Sequence, residues 1–174
     1  MIRLATPADV DWMIRLERRC AGASHWGEER YRQLIHGQAE GIKRLVLVIE
    51  ATSLSDSAEL AQDGSVENSA LLGFLVARQV PPEWELENIA VDPSMRRTGL
   101  GTELLGALLL RAKQTNSESV FLEVRESNQT ARRFYERAGF HQVGRRKSYY
   151  AEPSEDAILY QMTLKQANPR LFSY

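Results

Sequence analysis

A single cysteine among 174 residues leaves Cys20 without an internal partner, so no disulfide framework supports the chain. No CxxC or Cys/His ligand spacing surrounds it, and the three histidines (His25, His36 and His141) are scattered. The usual zinc-ligand patterns are therefore excluded and no metal is expected. An excess of charge is missing too: 22 Lys and Arg against 23 Asp and Glu leave a formal charge of -1. A nucleic-acid binder normally carries a basic excess to neutralise phosphates, so that class has no support. Long apolar runs are absent. The stretch Leu104–Leu110, interrupted by a glycine, is far too short to cross a bilayer. Asp9 and Asp11 stand where a signal peptide would need its apolar core. What remains is 43% hydrophobic and 26% charged, ordinary composition for one globular domain. The expectation is a cytoplasmic, metal-free domain with no membrane or nucleic-acid partner. Oligomeric state is not readable.

The pattern predicts a strand over 2–5, then a helix opened by Thr6-Pro7, with Val10, Met13, Ile14, Leu16 and Cys20 at helical spacing. A short helix is expected over 28–38 and a β-branched strand over 44–49. Residues 51–70 are rich in Ser, Ala, Asp and Glu, with no Lys or Arg between Arg44 and Arg78. Such a segment buries too little apolar surface to offset its ordering entropy and predicts a mobile acidic loop. Strands are expected over 71–79 and 85–91, a helix over 99–114, a strand over 120–124 and a helix over 128–138. Two strands, 140–146 and 157–164, close the domain, and the tail 165–174 has no pattern. The order βααβββαβαββ means an α/β protein with a mixed sheet of about seven strands and four helices, one domain over 1–164.

IAVDPSMRRTGLGTELL is the most informative stretch. A strand ends at Val91, a basic loop follows, and Gly99-Leu100-Gly101 opens a helix. Glycines let backbone approach a ligand, and the first amides of a helix lack intrahelical acceptors, an arrangement suited to phosphate oxygens. A P-loop would need GxxxxGK[ST] and a dinucleotide fingerprint a third glycine where Leu104 stands; both are excluded.

Arg96-x-x-Gly99-x-Gly101 after IAVDP resembles the acetyl-CoA pyrophosphate loop of the GCN5-related N-acetyltransferase (GNAT) superfamily. The resemblance continues for about 80 residues through ELENIAV, FLEVRESN, ARRFYERAGF, GRRKSYY and EDAILYQMTL. It is greatest to the RimI-type ribosomal-protein-alanine N-acetyltransferases. It implies a GNAT fold whose two central strands splay around acetyl-CoA. The backbone of Ile89, Ala90 and Val91 would bind the pantetheine, an amide near Val91 would polarise the thioester carbonyl, and the amides of Arg96, Arg97, Thr98, Gly99, Leu100, Gly101 and Thr102 would hold the pyrophosphate. Asn128 would meet the cofactor arm, although an N-cap explains it equally well. The resemblance also implies an acceptor that is a protein or peptide N-terminus, a ribosomal protein's alanine in the RimI case; a small amine or a lysine side chain is the alternative, and a non-catalytic acetyl-CoA-binding module a third.

Glu123 interrupts an apolar strand. A charge there is costly unless paired or functional, and desolvation is expected to raise its pKa toward that of a general base. An α-ammonium, with a pKa of roughly 7.7–8.0, must lose a proton before it attacks a thioester. The resemblance assigns this task to Glu123, directly or through a water; the structural alternative is a salt bridge to Arg125 or Arg145. It assigns protonation of the leaving thiolate to Tyr135, which would otherwise be a core tyrosine. Glu85 is a rival base. Glu83, Glu85 and Glu87 alternate with Trp84, Leu86 and Asn88, which puts the carboxylates on one strand face as a possible acidic rim. Tyr149-Tyr150 and Ser24-His25-Trp26 resemble acceptor-site elements, with Tyr149 and Trp26 the substrate-binding candidates. Lys147-Ser148 and the short link to Glu155 depart from the family's pattern there.

Overall fold

The structure is a computed structural model that describes residues 1–20, 26–36, 43–51 and 71–164. The expected acidic loop beyond Ala51, Ser24-His25 and the tail lie outside these residues. Strands β1 (Ile2–Leu4), β2 (Arg44–Glu50), β3 (Leu71–Val80), β4 (Glu83–Val91), β5 (Ser119–Arg125), β6 (His141–Ala151) and β7 (Ser154–Thr163) form one sheet. Its order is β1-β2-β3-β4-β5-β7-β6. Every pairing is antiparallel except β4 with β5. Helices α1 (Val10–Arg19), α2 (Glu28–His36), α3 (Leu100–Gln114) and α4 (Gln129–Arg137) complete the expected order.

Two apolar clusters explain the sequence pattern. Leu45, Leu47, Ile49, Leu75 and Ala77 face α3 and belong to a core that continues through Val120, Leu122, Val124 and Tyr160. Val46, Val48, Phe74 and Val76 face the other way, against Val10, Met13 and Tyr31 of α1 and α2. Strands β2 and β3 are thus covered on both faces and read as continuous apolar runs. The second cluster contains no residue of β5, β6 or β7. On that half of the sheet no described helix covers the second face, and β5 alternates buried and half-buried positions along Val120–Arg125.

Some boundaries differ from the sequence reading. The first helix is entered through a 3-10 turn, Pro7–Asp9. There the Thr6 N–H donates to Asp9 Oδ2 at 2.6 Å, and Arg3 donates to both Asp9 oxygens. Strand β6 runs on to Ala151 through an irregularity between Arg146 and Tyr150, with Ser148 at φ 49. The Ser148 N–H donates to Asp156 Oδ1 at 2.8 Å. The KSYY stretch concealed this continuation because none of its side chains belongs to either apolar cluster. At Gly73 a Cβ would sit 2.9 Å from the Ala90 carbonyl oxygen, so only glycine lets β3 lie this close to β4.

Candidate active site

Strand β4 pairs with β5 only from Glu83–Ser119 to Leu86–Leu122. Beyond Leu86 it stays on β3 as far as Val91, while β5 stays on β7 as far as Arg125. The two central strands therefore diverge, and the edge of β4 that faces β5 loses its ladder over Asn88–Val91. Backbone groups left without a ladder need another partner. Ile89, Ala90 and Val91 all border this gap.

A β-bulge marks the divergence. Val76 pairs with Asn88 and Ala77 with Leu86, so Glu87 is the extra residue. Trp84 and Leu86 face the α3 side, whereas Ala90 joins the α1/α2 cluster. Simple alternation along β4 therefore fails at Glu87, and Asn88 does not share a face with Trp84 and Leu86. Glu83 accepts from Ser119 Oγ and Gln161 Nε2. Glu85 is paired with Arg78 at 2.5 Å. Glu87, its side chain 6% exposed, lies 3.3–3.8 Å from Arg30, Arg44 and Arg78. The acidic rim is thus largely compensated by arginines of this chain. Burial raises the Glu87 pKa despite these arginines.

At the end of β4 the chain enters a 3-10 turn, Pro93–Met95, capped by Asp92, whose side chain accepts from the Ser94 N–H. Arg19 pairs with Asp92 at 3.0 Å. Among the described residues, the N–H groups of Arg96, Arg97, Thr98, Gly99, Leu100 and Gly101 have no backbone acceptor; pairing resumes with Thr102 and Glu103, which donate to the Gly99 carbonyl. Gly99 has φ 98 and Arg97 φ 65, turns that carry successive amides into α3. A run of unpaired amides at a helix N-terminus is an anion cradle. Thr102, whose amide is already used, is the one member of the expected phosphate set with a backbone partner.

On the open face of β5, Glu123 is 13% exposed at its side chain and pairs with Arg146 at 2.9 Å. The expected partners are engaged elsewhere: Arg125 with Glu155, and Arg145 with Glu126 and Asp156. The reading of β5 as a strand buried on both faces is corrected accordingly: Glu123 is no lone carboxylate in an apolar layer, because among the described residues no helix covers its side of the sheet. The Glu123 carboxylate raises the Tyr149 pKa, and Arg146 lies over the Tyr149 ring at 5.4 Å. Tyr149 and Tyr150 rings meet edge to face at 5.2 Å. Burial pushes the Tyr150 hydroxyl up to about 12, with Glu123 adding to the shift.

Tyr135 is 6% exposed, packed between Phe134 and Phe140. Among the described residues its hydroxyl makes no hydrogen bond. Burial raises its pKa well above that of a free phenol, with a contribution from Tyr150. Tyr150 thus feels the charge of Glu123 and in turn contributes to the shift of Tyr135. Asn128 caps α4, its Oδ1 accepting from Ala131 N at 3.1 Å. The Trp26 ring is stacked by the Arg30 guanidinium at 3.9 Å, and its backbone N–H donates to Glu17 Oε2 at 2.9 Å. Arg146 and Glu17 were not assigned roles from sequence. Glu17 was legible in principle, since Met13, Glu17 and Cys20 continue the buried stripe of α1.

Residues 20–140 match the acetyltransferase (GNAT) family model. The chain belongs to the GNAT family. A Haemophilus influenzae relative named ribosomal protein bS18-alanine N-acetyltransferase is 43% identical over 97 residues, covering 54% of this chain and 66% of that protein. The alignment therefore spans just under two thirds of that relative's length. The crystal structure of the Escherichia coli ribosomal-protein-S18-alanine N-acetyltransferase matches with a TM-score of 0.70 at 27% identity, over 97% of this chain and 96% of that one. Arabidopsis thaliana NAA60, solved with acetyl-CoA, matches with a TM-score of 0.77 over 95% of this chain and 98% of that one. At 16% identity this last likeness speaks for the GNAT fold alone.

Proposed function

We propose that the protein transfers acetyl from acetyl-CoA to an N-terminal α-amino group of a protein, with the alanine of a ribosomal protein as the leading acceptor. The observation that carries the transferase reading is the gap between β4 and β5 that ends on the unpaired amides from Arg96 to Gly101. An extended polar arm fits the open edge over Ile89–Val91, and a pyrophosphate fits the cradle. The acceptor reading is supported by the names of the bS18-alanine relatives and by the open face on which Glu123 and Tyr149 stand.

In this reading acetyl-CoA supplies the thioester that the amine attacks directly. Glu123 first meets the acceptor as an anion meets a cation: the incoming α-ammonium competes with the Arg146 guanidinium for the same carboxylate. Glu123 then takes the amine's proton, directly or through a water. The amide near Val91 donates to the developing oxyanion. Tyr135, a phenol whose pKa burial raises further, stays protonated through neutral pH. A thiol titrates near about 8.5, so full transfer from Tyr135 runs against the pKa order. Its main action is to donate a hydrogen bond as charge builds on the departing sulfur. Asn128 keeps its Oδ1 in the α4 cap, which leaves its amide N–H groups for the cofactor arm.

The test is release of CoA thiol on mixing the protein with acetyl-CoA and a short peptide beginning Ala-Arg, beside the same peptide blocked at Nα. Turnover of the free peptide alone is expected. Equal turnover of the blocked peptide through a lysine, or none with acetyl-CoA still bound, would overturn the α-amine reading.

A further inference from the structure

The side chain of Glu17 is buried, with the residue 1% exposed, and among the described residues no lysine or arginine forms an ion pair with it. Hydrogen-bond donors compensate its charge instead. Asn88 Nδ2 donates to Oε1 at 2.7 Å and the Trp26 backbone N–H donates to Oε2 at 2.9 Å. The Tyr31 hydroxyl accepts from the same Asn88 Nδ2 at 3.1 Å, and the Glu17 charge adds to burial in raising its pKa. Burying a carboxylate without a cation is costly, and a network of this kind persists only when its members are satisfied together. What it secures is position. Asn88 immediately precedes Ile89 on the edge of β4 that borders the gap, and Trp26 leads into α2.

A second link runs beside the first. Glu87 reaches Arg30 Nη2 at 3.3 Å, and that guanidinium stacks on the Trp26 indole. Trp26 is therefore held by its backbone through Asn88 and by its ring through Glu87, from consecutive residues at the β4 bulge. The bulge makes this possible, because it turns Asn88 toward α1 rather than toward the face shared by Trp84 and Leu86. The same polar line continues through Arg78, which joins Glu87 to Glu85, and the charges of Glu85 and Glu123 both raise the Tyr149 pKa.

We propose that Glu17 is a positioning residue for the acceptor, fixing the Trp26 wall against the edge of β4 without itself touching acetyl-CoA or the amine. This rests on the acetyltransferase reading above. Glu17→Gln keeps the shape but replaces one acceptor oxygen with a donor that faces donors. Trp26 is then released while the amide cradle, at the far end of β4, keeps its geometry. In thiol-release kinetics Glu17→Gln is expected to raise the acceptor peptide's KM at least fivefold, with kcat at saturating peptide within about threefold of wild type. The acetyl-CoA Kd from calorimetry stays within twofold, and hydrogen exchange at the Trp26 amide speeds up. Glu17→Asp, which keeps the charge on a shorter stem, restores part of the KM and serves as the test if the Gln variant does not fold. An unchanged acceptor KM, with or without a fall in Tm, overturns the role and leaves Glu17 a purely structural group. A parallel loss of acetyl-CoA affinity overturns it as well. Wild-type turnover of the peptide separates the two readings. Its absence removes the acceptor reading and the role of Glu17 together; turnover with an unmoved KM in the variant removes the role of Glu17 alone.

Discussion

Glu123 and Arg146 stand 2.9 Å apart on a face that no described helix covers, and most of the site's chemistry turns on how that pair is exchanged for a substrate. Glu123→Gln removes the proposed proton acceptor, and a fall in kcat of roughly 10²–10⁴ is expected with acetyl-CoA binding intact. Arg146→Ala should act in the opposite direction on binding: the acceptor's ammonium loses its competitor, so the peptide KM falls. Steady-state kinetics on the two variants test both signs. Tyr135→Phe removes a hydroxyl that has no hydrogen-bond partner among the described residues. Its Tm should stay close to wild type while kcat falls, a split that separates a donor to the leaving group from a core tyrosine. The carboxylate and the phenol were legible in sequence because each interrupts or completes an apolar pattern. The identity of the arginine was not. Arg125, Arg145 and Arg146 are equally polar in sequence, and the largely exposed positions of β6 carry no apolar pattern that would tell which of them faces Glu123.

Among the elements, the helices and the covered strands follow directly from their periodicity, and the deviations sit where local hydrogen bonding competes with it. At the entry to α1, burial pushes the Asp9 carboxyl up, but hydrogen bonds from Arg3 and Thr6 outweigh that and hold its pKa below the ordinary 3.8. A carboxyl whose folded pKa is lowered adds stability above its unfolded pKa and loses it as pH falls through the folded value. Asp9→Asn should therefore cost about 1 kcal/mol at pH 7, the scale of a lost helix cap, and progressively less below about pH 3.8, as denaturant unfolding at several pH values would show. The β4 bulge was the least legible element. Glu83, Glu85 and Glu87 keep perfect alternation in sequence, and only the pairing with β3 reveals an extra residue. At the other end of β4, a Cβ on Gly101 would meet Phe134 at 3.6 Å, an ordinary contact, so the protein itself leaves room for alanine there. In the proposed function the close neighbour of this position is the pyrophosphate of acetyl-CoA. Gly101→Ala should leave Tm little changed and weaken acetyl-CoA binding at least tenfold by calorimetry.

At the scale of the molecule, one parallel pairing in an otherwise antiparallel sheet creates the site. The order of elements was readable from sequence, but the divergence of β4 from β5 was expected only through the family resemblance, because a strand's own residues do not say where its neighbour departs. Each central strand is anchored on its outer side, β4 by β3 and β5 by β7, so the gap is held open by the rest of the sheet rather than by a loop. A ligand that fills it supplies the missing partner to the edge over Asn88–Val91. Two consequences follow that only a gap of this kind produces together. Acetyl-CoA at a hundred times its Kd should add about 2.7 kcal/mol to global stability, because it binds the folded state alone, and thermal unfolding reads this as a rise in Tm of a few degrees. Amide exchange should slow at once over 87–91 and over 96–101, two segments with no shared ladder, while the β6–β7 hairpin changes little. Desulfo-CoA, which keeps the pyrophosphate and lacks the thiol, should protect both segments as well. Protection confined to 96–101 would mean that the cradle binds phosphate while the gap between the strands stays empty, and the site would then lie outside the sheet.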